Sequence, residues 1–194
     1  MQNRSIYIFP LQLVLVPGEI VPLNIFEMRY IDLMKECIGA DKPFGISKLK
    51  QGSDTQTDVE FETIGCSAKI IDWDMPKMGF YQIQAVGESP FKIEETSRLP
   101  NGLLQANVVW LHDVENCAAE RDINTCRNLL KEIYDQFESK NPEMIADLDK
   151  KNMGWISYKL MEVLSCDFDL KQQWLEERDS SKRIKKIIEY VRLN

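Results

Sequence analysis

The spacing of hydrophobic positions divides the start of this chain into two extended runs and one helix. The runs, Ile6 to Leu15 and Ile20 to Ile25, are rich in Val, Leu and Ile. Pro17-Gly18 lies between them and is a turn signal, because proline restricts one backbone angle and glycine frees the next. We therefore predict a strand, a turn and a second strand.

From Asn24 onward the hydrophobic spacing changes to three and four residues, which is typical of one face of a helix. The positions on that face are Phe26, Tyr30, Leu33 and Cys37. Asn24 is a suitable N-cap, Glu27 stands where a capping box has a carboxylate, and Gly39 follows the last apolar position. The pattern predicts a helix that begins near Asn24 and buries these four side chains.

The chain from 43 to 111 alternates over short distances, which predicts further strands. The predicted strands are 43–49, 61–72, 79–87, 90–95 and 103–111, with a polar loop at 50–58 and a turn at Pro100-Asn101-Gly102. Tyr81, Ile83 and Ala85 fall on one face of their strand, which predicts a half-buried antiparallel strand. Gly65 within a strand indicates a bulge or a close backbone approach. So many short strands predict a small barrel or sandwich.

The C-terminal part returns to three-four spacing, which predicts amphipathic helices. The apolar stripes comprise Ile123, Cys126, Leu130, Ile133 and Phe137, then Ile156, Lys159, Leu160 and Val163, and finally Ile184, Ile187, Ile188 and Val191. Asn141-Pro142-Glu143 indicates one helix start. Asp167 or Asp169 is the predicted cap of a helix over LKQQWLEE. Ser180 or Ser181 is the predicted cap of the last helix.

Residues 8 to 38 resemble the N-terminal substrate-binding domain of Lon-type ATP-dependent proteases, particularly the bacterial proteins built from that domain alone. The resemblance lies in FPL, then PG, then PL-x-IFE-x-RY before an amphipathic helix. The matching residues are Phe9, Pro10, Leu11, Pro17, Gly18, Pro22, Leu23, Ile25, Phe26, Glu27, Arg29 and Tyr30. Further along, TIGCSAKIID and GFYQIQAVGESPFKIEE are similar to the family's next strand and hairpin. Lys171-Gln172, Leu175-Glu176 and Arg183 are similar to its helical extension.

The resemblance implies an α+β fold in two lobes. A PUA-like β pseudobarrel with one inserted helix would span 1–115, and a C-terminal helical bundle would span 116–194. Together they would form one Lon N-terminal-like unit. A chain of 194 residues is long enough to bury a core in either arrangement.

Composition is ordinary for a soluble globular protein, with 44% hydrophobic and 28% charged residues. The formal net charge of -7 disfavours nonspecific binding to nucleic acid, which depends on Lys and Arg. The five cysteines form no Cys-x-x-Cys pair, so we expect reduced thiols, mostly in the core. Because no signal peptide or long apolar run is recognisable, we expect a cytoplasmic location.

The sequence contains no motif to which we assign a catalytic role. The sequence has no Gly-x-x-x-x-Gly-Lys-Ser/Thr loop for ATP phosphates and no recognisable peptidase serine and lysine. Ser89 and Lys92 have a Ser-x-x-Lys spacing without the accompanying motifs, so we interpret it as chance. The only histidine, His112, stands beside Asp113, and we interpret the pair as a solvated strand end. We predict no catalytic residue, no cofactor and no metal site.

The last helix is basic as well as amphipathic. Its cations are Lys182, Arg183, Lys185, Lys186 and Arg192. Such a helix is compatible with a membrane surface or nucleic acid. We favour a solvated basic face and an apolar stripe that packs on the other helices.

The best local candidate for a binding surface is DWDMPKMGF, Asp72 to Phe80, which we predict as a hairpin loop. Its candidate binding residues are Trp73, Met75, Met78 and Phe80. Flexible methionine and aromatic side chains suit varied apolar segments. The alternative is that Trp73 and Phe80 fill the barrel core. A second candidate is Trp155 with Tyr158, which either line a groove or join the two lobes.

These observations lead to one main hypothesis and two rivals. The main hypothesis is a non-catalytic module that recognises unfolded or apolar polypeptide segments, as an adaptor in proteolysis or quality control. The rivals are a PUA-like protein that binds RNA or a small ligand, and an ATP-independent hydrolase. We expect polypeptide clients as partners, and neither nucleic acid nor membrane. The oligomeric state stays open.

Overall fold

The computed structural model describes residues 4–51, 59–114, 119–136 and 148–193. The chain divides into two compact units, Met1–Leu111 and His112–Asn194. We call them the barrel unit and the helical unit. Several predicted features lie outside the described residues: positions 52–58 of the polar loop predicted at 50–58, Cys117, Phe137 and the helix start at 141–143.

Within its described residues, 4–51 and 59–111, the barrel unit contains seven strands and one helix. The strands are β1 (Arg4–Leu11), β2 (Ile20–Ile25), β3 (Phe44–Gln51), β4 (Glu60–Phe61), β5 (Ile64–Lys77), β6 (Phe80–Arg98) and β7 (Leu104–Trp110), and the helix is α1 (Met28–Ala40) between β2 and β3. The predicted strand at Ile20–Ile25 is confirmed. The first predicted strand ends at Leu11 instead of Leu15, because the chain bends there and buries 14–16 outside any strand.

Five strands close into a barrel. They neighbour one another in the order β1, β7, β6, β5, β3, and β1 returns to β3 through a parallel pairing that sets Ile8 opposite Gly45. Inside, Ile8, Phe91 and Val108 are fully buried. A side chain at Gly45 would meet Phe91 and Ile8 at 2.8 Å, so glycine leaves room for the Phe91 ring.

The inserted helix α1 builds a second core against the sheet. Tyr30, Leu33 and Cys37 are buried as predicted, and the Tyr30 ring stacks on Phe9 with centroids 3.9 Å apart. The α+β class, with one helix inserted in a β pseudobarrel and helices after it, is confirmed.

The predicted start of α1 is wrong by one turn. Asn24 belongs to β2 and lies opposite Gln82, and α1 begins at Met28 after Glu27. Phe26 therefore lies outside the helix and is 67% exposed. The helix also passes Gly39 and ends with Asp41 in the left-handed region at φ 49°. Pairing of β2 with β6 continues to Ile25, so Asn24 stays in the strand and cannot cap the helix.

The long hairpin of β5 and β6 differs from the predicted loops. Asp72 to Lys77 continue β5, and the turn consists of Met78 and Gly79 between the paired residues Lys77 and Phe80. Gly79 has φ 77°, which glycine adopts readily. The predicted alternation of Tyr81, Ile83 and Ala85 toward the core is confirmed. The two predicted strands at 79–87 and 90–95 form one continuous β6.

The helical unit contains α2 (Glu120–Gln136), a 3-10 turn (Leu148–Lys150), α3 (Met153–Val163), α4 (Phe168–Glu176) and α5 (Ser180–Leu193). Asp167 caps α4 by accepting from Leu170 N at 2.7 Å, as predicted. The predicted serine cap of α5 is wrong, because Asp179 Oδ1 accepts from Ser181 N and Lys182 N. A bridge of Val114 with Asp179 joins the start of the unit to this cap.

Candidate functional site

One part of the sheet lies outside the closed barrel. The start of β6 pairs with the end of β5 on one side and with β2 on the other, so that Trp73 and Leu23 both lie opposite Ile83. We call this three-stranded part, residues 20–25, 69–77 and 80–86, the arm. The barrel itself uses the first part of β5 and the second part of β6.

Large apolar side chains collect at the turn end of the arm. Phe26, Met28, Trp73, Met75 and Met78 are exposed and Phe80 is partly buried; we call these six residues the apolar tip. Met78, in the turn, is 97% exposed. Because Ile25 lies opposite Tyr81, the chain leaves β2 at Phe26 beside the position of Phe80. Register thus brings the β2–α1 junction to the same end of the arm as the hairpin turn.

Trp73 lies at the boundary between the core and this exposed surface. It shares a face with its cross-strand partner Ile83, and its ring centroid is 6.0 Å from that of buried Tyr81. Nevertheless Trp73 is 49% exposed. An indole held on one side by the core and open on the other is a rigid apolar anchor.

The opposite face of the arm is polar. Asp72 lies opposite Gln84 and Asp74 opposite Gln82, and Asn24 Oδ1 accepts from Gln82 Nε2 at 3.3 Å. All five side chains are exposed. The arm thus has an apolar and a polar face, which meet at the edge formed by β5.

A cavity of about 180 Å³ adjoins Trp73. Its walls come from the end of α1 and from β5, including Cys37, Ile71 and the ion pair of Lys69 Nζ with Asp41 Oδ2 at 2.9 Å. Burial raises the pKa of the Cys37 thiol to about 12. The thiol is therefore protonated at neutral pH, and it contributes an apolar wall instead of a nucleophile.

Two of the predicted binding residues, Trp155 and Tyr158, lie on α3 in the helical unit. Trp155 is partly buried, with Lys151 Nζ 5.3 Å from its ring centroid. Tyr158 is buried below the Arg183 guanidinium, which lies 4.0 Å from its ring centroid. Burial raises the pKa of Tyr158 to about 12, so its hydroxyl acts as a neutral donor. It donates to Asp113 Oδ1 at 2.9 Å.

Asp113 is the centre of a largely buried ionic cluster, and its interpretation as a solvated strand end is wrong. Arg183 Nη2 donates to Asp113 Oδ2 at 2.6 Å, and Arg178 Nη2 donates to Oδ1 at 2.7 Å. Arg183 is completely buried, so it does not belong to the solvated basic face. Arg183 stands four residues before Ile187 and therefore on the same face as the apolar stripe. This spacing is the feature of the sequence that could have predicted its burial. His112 is exposed.

The apolar tip is an exposed apolar surface. Among the described residues no group of three or more His, Cys, Asp or Glu is placed to hold a metal ion. Within the same part of the chain, no helix combines the length and apolar character needed to cross a membrane.

Comparison with known proteins identifies the family. Residues 5–192 match the family of the ATP-dependent protease La (LON) substrate-binding domain, and the chain belongs to this family. Lon protease of Cytophaga hutchinsonii is 24% identical over 177 residues, which are 88% of this chain and 22% of the relative. Lon protease of Amoebophilus asiaticus is 26% identical over 184 residues, 92% of this chain and 22% of the relative. The chain thus spans about a fifth of these relatives' length.

Solved structures of two Lon N-terminal domains share the fold. The Lon N-terminal domain protein from Xanthomonas campestris has a TM-score of 0.76 at 23% identity, covering 96% of this chain and 98% of that chain. The N-terminal domain of Mycobacterium avium complex Lon protease has a TM-score of 0.66 at 16% identity, covering 96% and 97%. The matched family is that of the substrate-binding domain, and membership in it is consistent with substrate recognition.

Proposed function

We propose that this protein binds unfolded or extended polypeptide segments through the apolar tip, without cleaving them, as an adaptor in proteolysis or quality control. One observation carries the proposal: exposed Trp73, Met75 and Met78 lie together at one end of the arm. Exposed apolar surface of this kind is typical of interaction sites. Membership in a substrate-binding domain family supports a polypeptide as the partner.

The residue types of the tip suit many different segments. Methionine side chains adapt their shape, while Trp73 provides a fixed aromatic surface. Burial of apolar area contributes about 25 cal/mol per Å², and association and ordering costs offset much of this gain. We therefore expect weak binding of single short segments and tighter binding of chains that present several.

Fluorescence anisotropy with a labelled, reduced and alkylated unfolded protein tests the proposal. Met78→Lys places a charge on the apolar tip and is expected to weaken binding about tenfold, the effect of losing about 1.4 kcal/mol. Leu193→Lys is the matched control, because Leu193 is 85% exposed at the end of α5. Equal binding by both variants and the original protein would contradict the proposal.

The same samples distinguish the two rival functions. Single-stranded RNA is expected to give no saturable binding, because the protein has a formal net charge of -7. RNA binding that weakens steeply with added salt would replace the proposal. Casein is expected to stay intact with and without ATP. Reproducible cleavage that disappears on substitution of one serine would establish a hydrolase instead.

A further inference from the structure

We propose that the outer edge of β5 in the arm accepts the bound segment as an additional β-strand, and that it selects segments in which apolar residues alternate with Lys or Arg. This inference rests on the proposed function and specifies its geometry and its substrate class. It requires an open strand edge, amide groups directed toward that edge, and side chains that distinguish one segment from another.

Along the arm this edge has no partner among the described strands. β3 pairs with β5 at Cys66, Ser67 and Ala68, and among the described strands none pairs with that side of β5 beyond Ala68. Residues 69–77 therefore pair on one side, with β6. An unpaired strand edge is a template for an additional strand.

β2 forms the other edge of the arm and provides a useful contrast. Pro22 lies in the middle of β2, opposite Gln84, and has no amide hydrogen to donate to an added strand. In the arm part of β5 the one proline, Pro76, lies next to the turn. The β5 edge therefore keeps its donors where the β2 edge lacks one.

Two amides of this edge are paired with the side chains that precede them. Trp73 N donates to Asp72 Oδ1 at 2.9 Å, and Met75 N donates to Asp74 Oδ1 at 2.8 Å. Trp73 and Met75 are two residues apart, the spacing at which strand amides point to the same side. The carboxylates thus occupy donors that a neighbouring strand would otherwise engage, and an incoming carbonyl can replace them.

The side chains at the edge define the preferred segment. Trp73 shares the apolar face with Ile83, whereas Asp72 and Asp74 share the polar face with Gln84 and Gln82. A residue placed opposite Trp73 contacts the indole, and its neighbours lie opposite the two carboxylates. Opposite charges on adjacent strands stabilise the pairing and like charges destabilise it. Segments with alternating apolar and basic residues therefore fit best.

N-methylated peptides test the strand geometry. The probe is a short acetylated peptide in which valine and lysine alternate, compared with versions N-methylated at every valine or at every lysine. Because alternate amides of an added strand point to its neighbour, methylation of one set is expected to weaken binding at least about tenfold and methylation of the other set to have little effect. Equal effects of the two sets would overturn strand addition.

The same titrations separate this inference from the proposed function. Binding of the unmodified peptide that is lost in Met78→Lys but tolerates both methylated sets would overturn strand addition and leave the proposed function supported. Absence of binding by both the unmodified peptide and the unfolded protein would overturn both. Sedimentation of the protein, alone and with the valine-lysine peptide, tests whether a second copy of the chain occupies the edge instead. A dimer that the peptide dissociates would show that it does.

Substitution of the two aspartates tests the preference for basic segments. The original protein is expected to favour the valine-lysine peptide over a valine-glutamate peptide about tenfold, and Asp72→Asn with Asp74→Asn to reduce this ratio to about twofold. Asparagine keeps an oxygen that can accept from the same amides. The matched control is Asp135→Asn with Glu189→Gln, two exposed acids on helices α2 and α5. An unchanged ratio in the Asp72 and Asp74 variant would overturn the proposed selectivity.

Discussion

The two units differ in which side chains depart from the usual rule of apolar inside and charged outside. The barrel unit leaves a tryptophan and several methionines in solvent at the apolar tip, whereas the helical unit buries the charged side chain of Arg183. Apolar surface that stays exposed contributes no burial free energy to folding. The same surface becomes favourable to bury when a partner covers it. A buried charge is tolerated because partners surround it. The contrast is consistent with the binding role proposed for the tip and indicates a structural role for the cluster.

The hydrogen bonds of the cluster support that reading. Besides Asp113, Arg183 binds Ser157 Oγ through Nε at 2.8 Å and the Glu177 carbonyl through Nη1 at 2.7 Å. The guanidinium is therefore engaged through all three nitrogens. Arg183 is also completely buried, which supports a structural role.

The largest expected effect comes from Asp113→Ala. This change leaves Arg183 buried without its carboxylate, and removal of one partner of a buried pair typically costs about 3–5 kcal/mol. Urea denaturation followed by circular dichroism at the helical band measures the change in free energy of unfolding. His112→Ala, at the exposed neighbour, serves as control and is expected to change it little. A loss below about 1 kcal/mol for Asp113→Ala would show that the cluster contributes little to the stability of the helical unit.

A smaller effect is expected inside the barrel. In Gly65→Ala the new methyl group would overlap the Ile46 carbonyl oxygen and lie 2.8 Å from the Phe91 ring. Overpacking of this kind costs about 1–3 kcal/mol. The control Gly39→Ala introduces a methyl group into α1 with nothing within 4 Å and is expected to stabilise by about 0.5–1 kcal/mol. Similar thermal midpoints for the two variants would contradict the packing at Gly65.

The cap of α5 provides an intermediate test within the helical unit. Asp179→Ala removes the acceptor of Ser181 N and Lys182 N, and loss of such a cap costs about 1 kcal/mol. Asp179→Asn retains an acceptor and is expected to recover most of the stability. If alanine and asparagine are equivalent in urea denaturation, the side-chain cap is not significant.

The smallest effect on stability is expected at the apolar tip. Met78→Lys alters a side chain that is 97% exposed, so the free energy of unfolding is expected to change by less than about 0.5 kcal/mol. This variant is also the one expected to impair peptide binding. Thermal unfolding of the same preparation checks the point. A large loss of stability would mean that Met78 supports the fold, and the contrast between the units would disappear.

Much of the fold follows from local patterns in the sequence. Alternation identified the buried face of β6, and three-four spacing identified the stripes of α2 and α5, because one dominant face is buried in each. Helix α3 differs, because it is buried on all sides from Ile156 to Met161 and its spacing marks no single face. The chemistry of caps was less decisive. Asn24 has a suitable side chain for a cap, yet pairing with β6 keeps it in a strand. A tertiary partner overrides a local preference there.

The sequence predicted several residues of the candidate site but not their backbone conformation. Trp73, Met75 and Met78 were identified from residue type, but their strand conformation depends on β6 as a partner across the turn. Phe26 and Met28 were missed, because the spacing of Phe26 with Tyr30 suggests burial on a helix. The cluster at Asp113 was missed for a related reason. Its partners lie 65 and 70 residues away in the chain, beyond the reach of any local pattern.

The bridge between Val114 and Asp179 has a consequence for anyone who wishes to express the C-terminal half as a separate fragment. A cut placed at the first residue of α2, Glu120, looks natural but discards Asp113, the carboxylate that pairs with Arg183 in the interior. Such a fragment would have to expel an arginine to water and open its own centre. Starting the fragment at or before His112 retains the counterion and the short backbone bridge together.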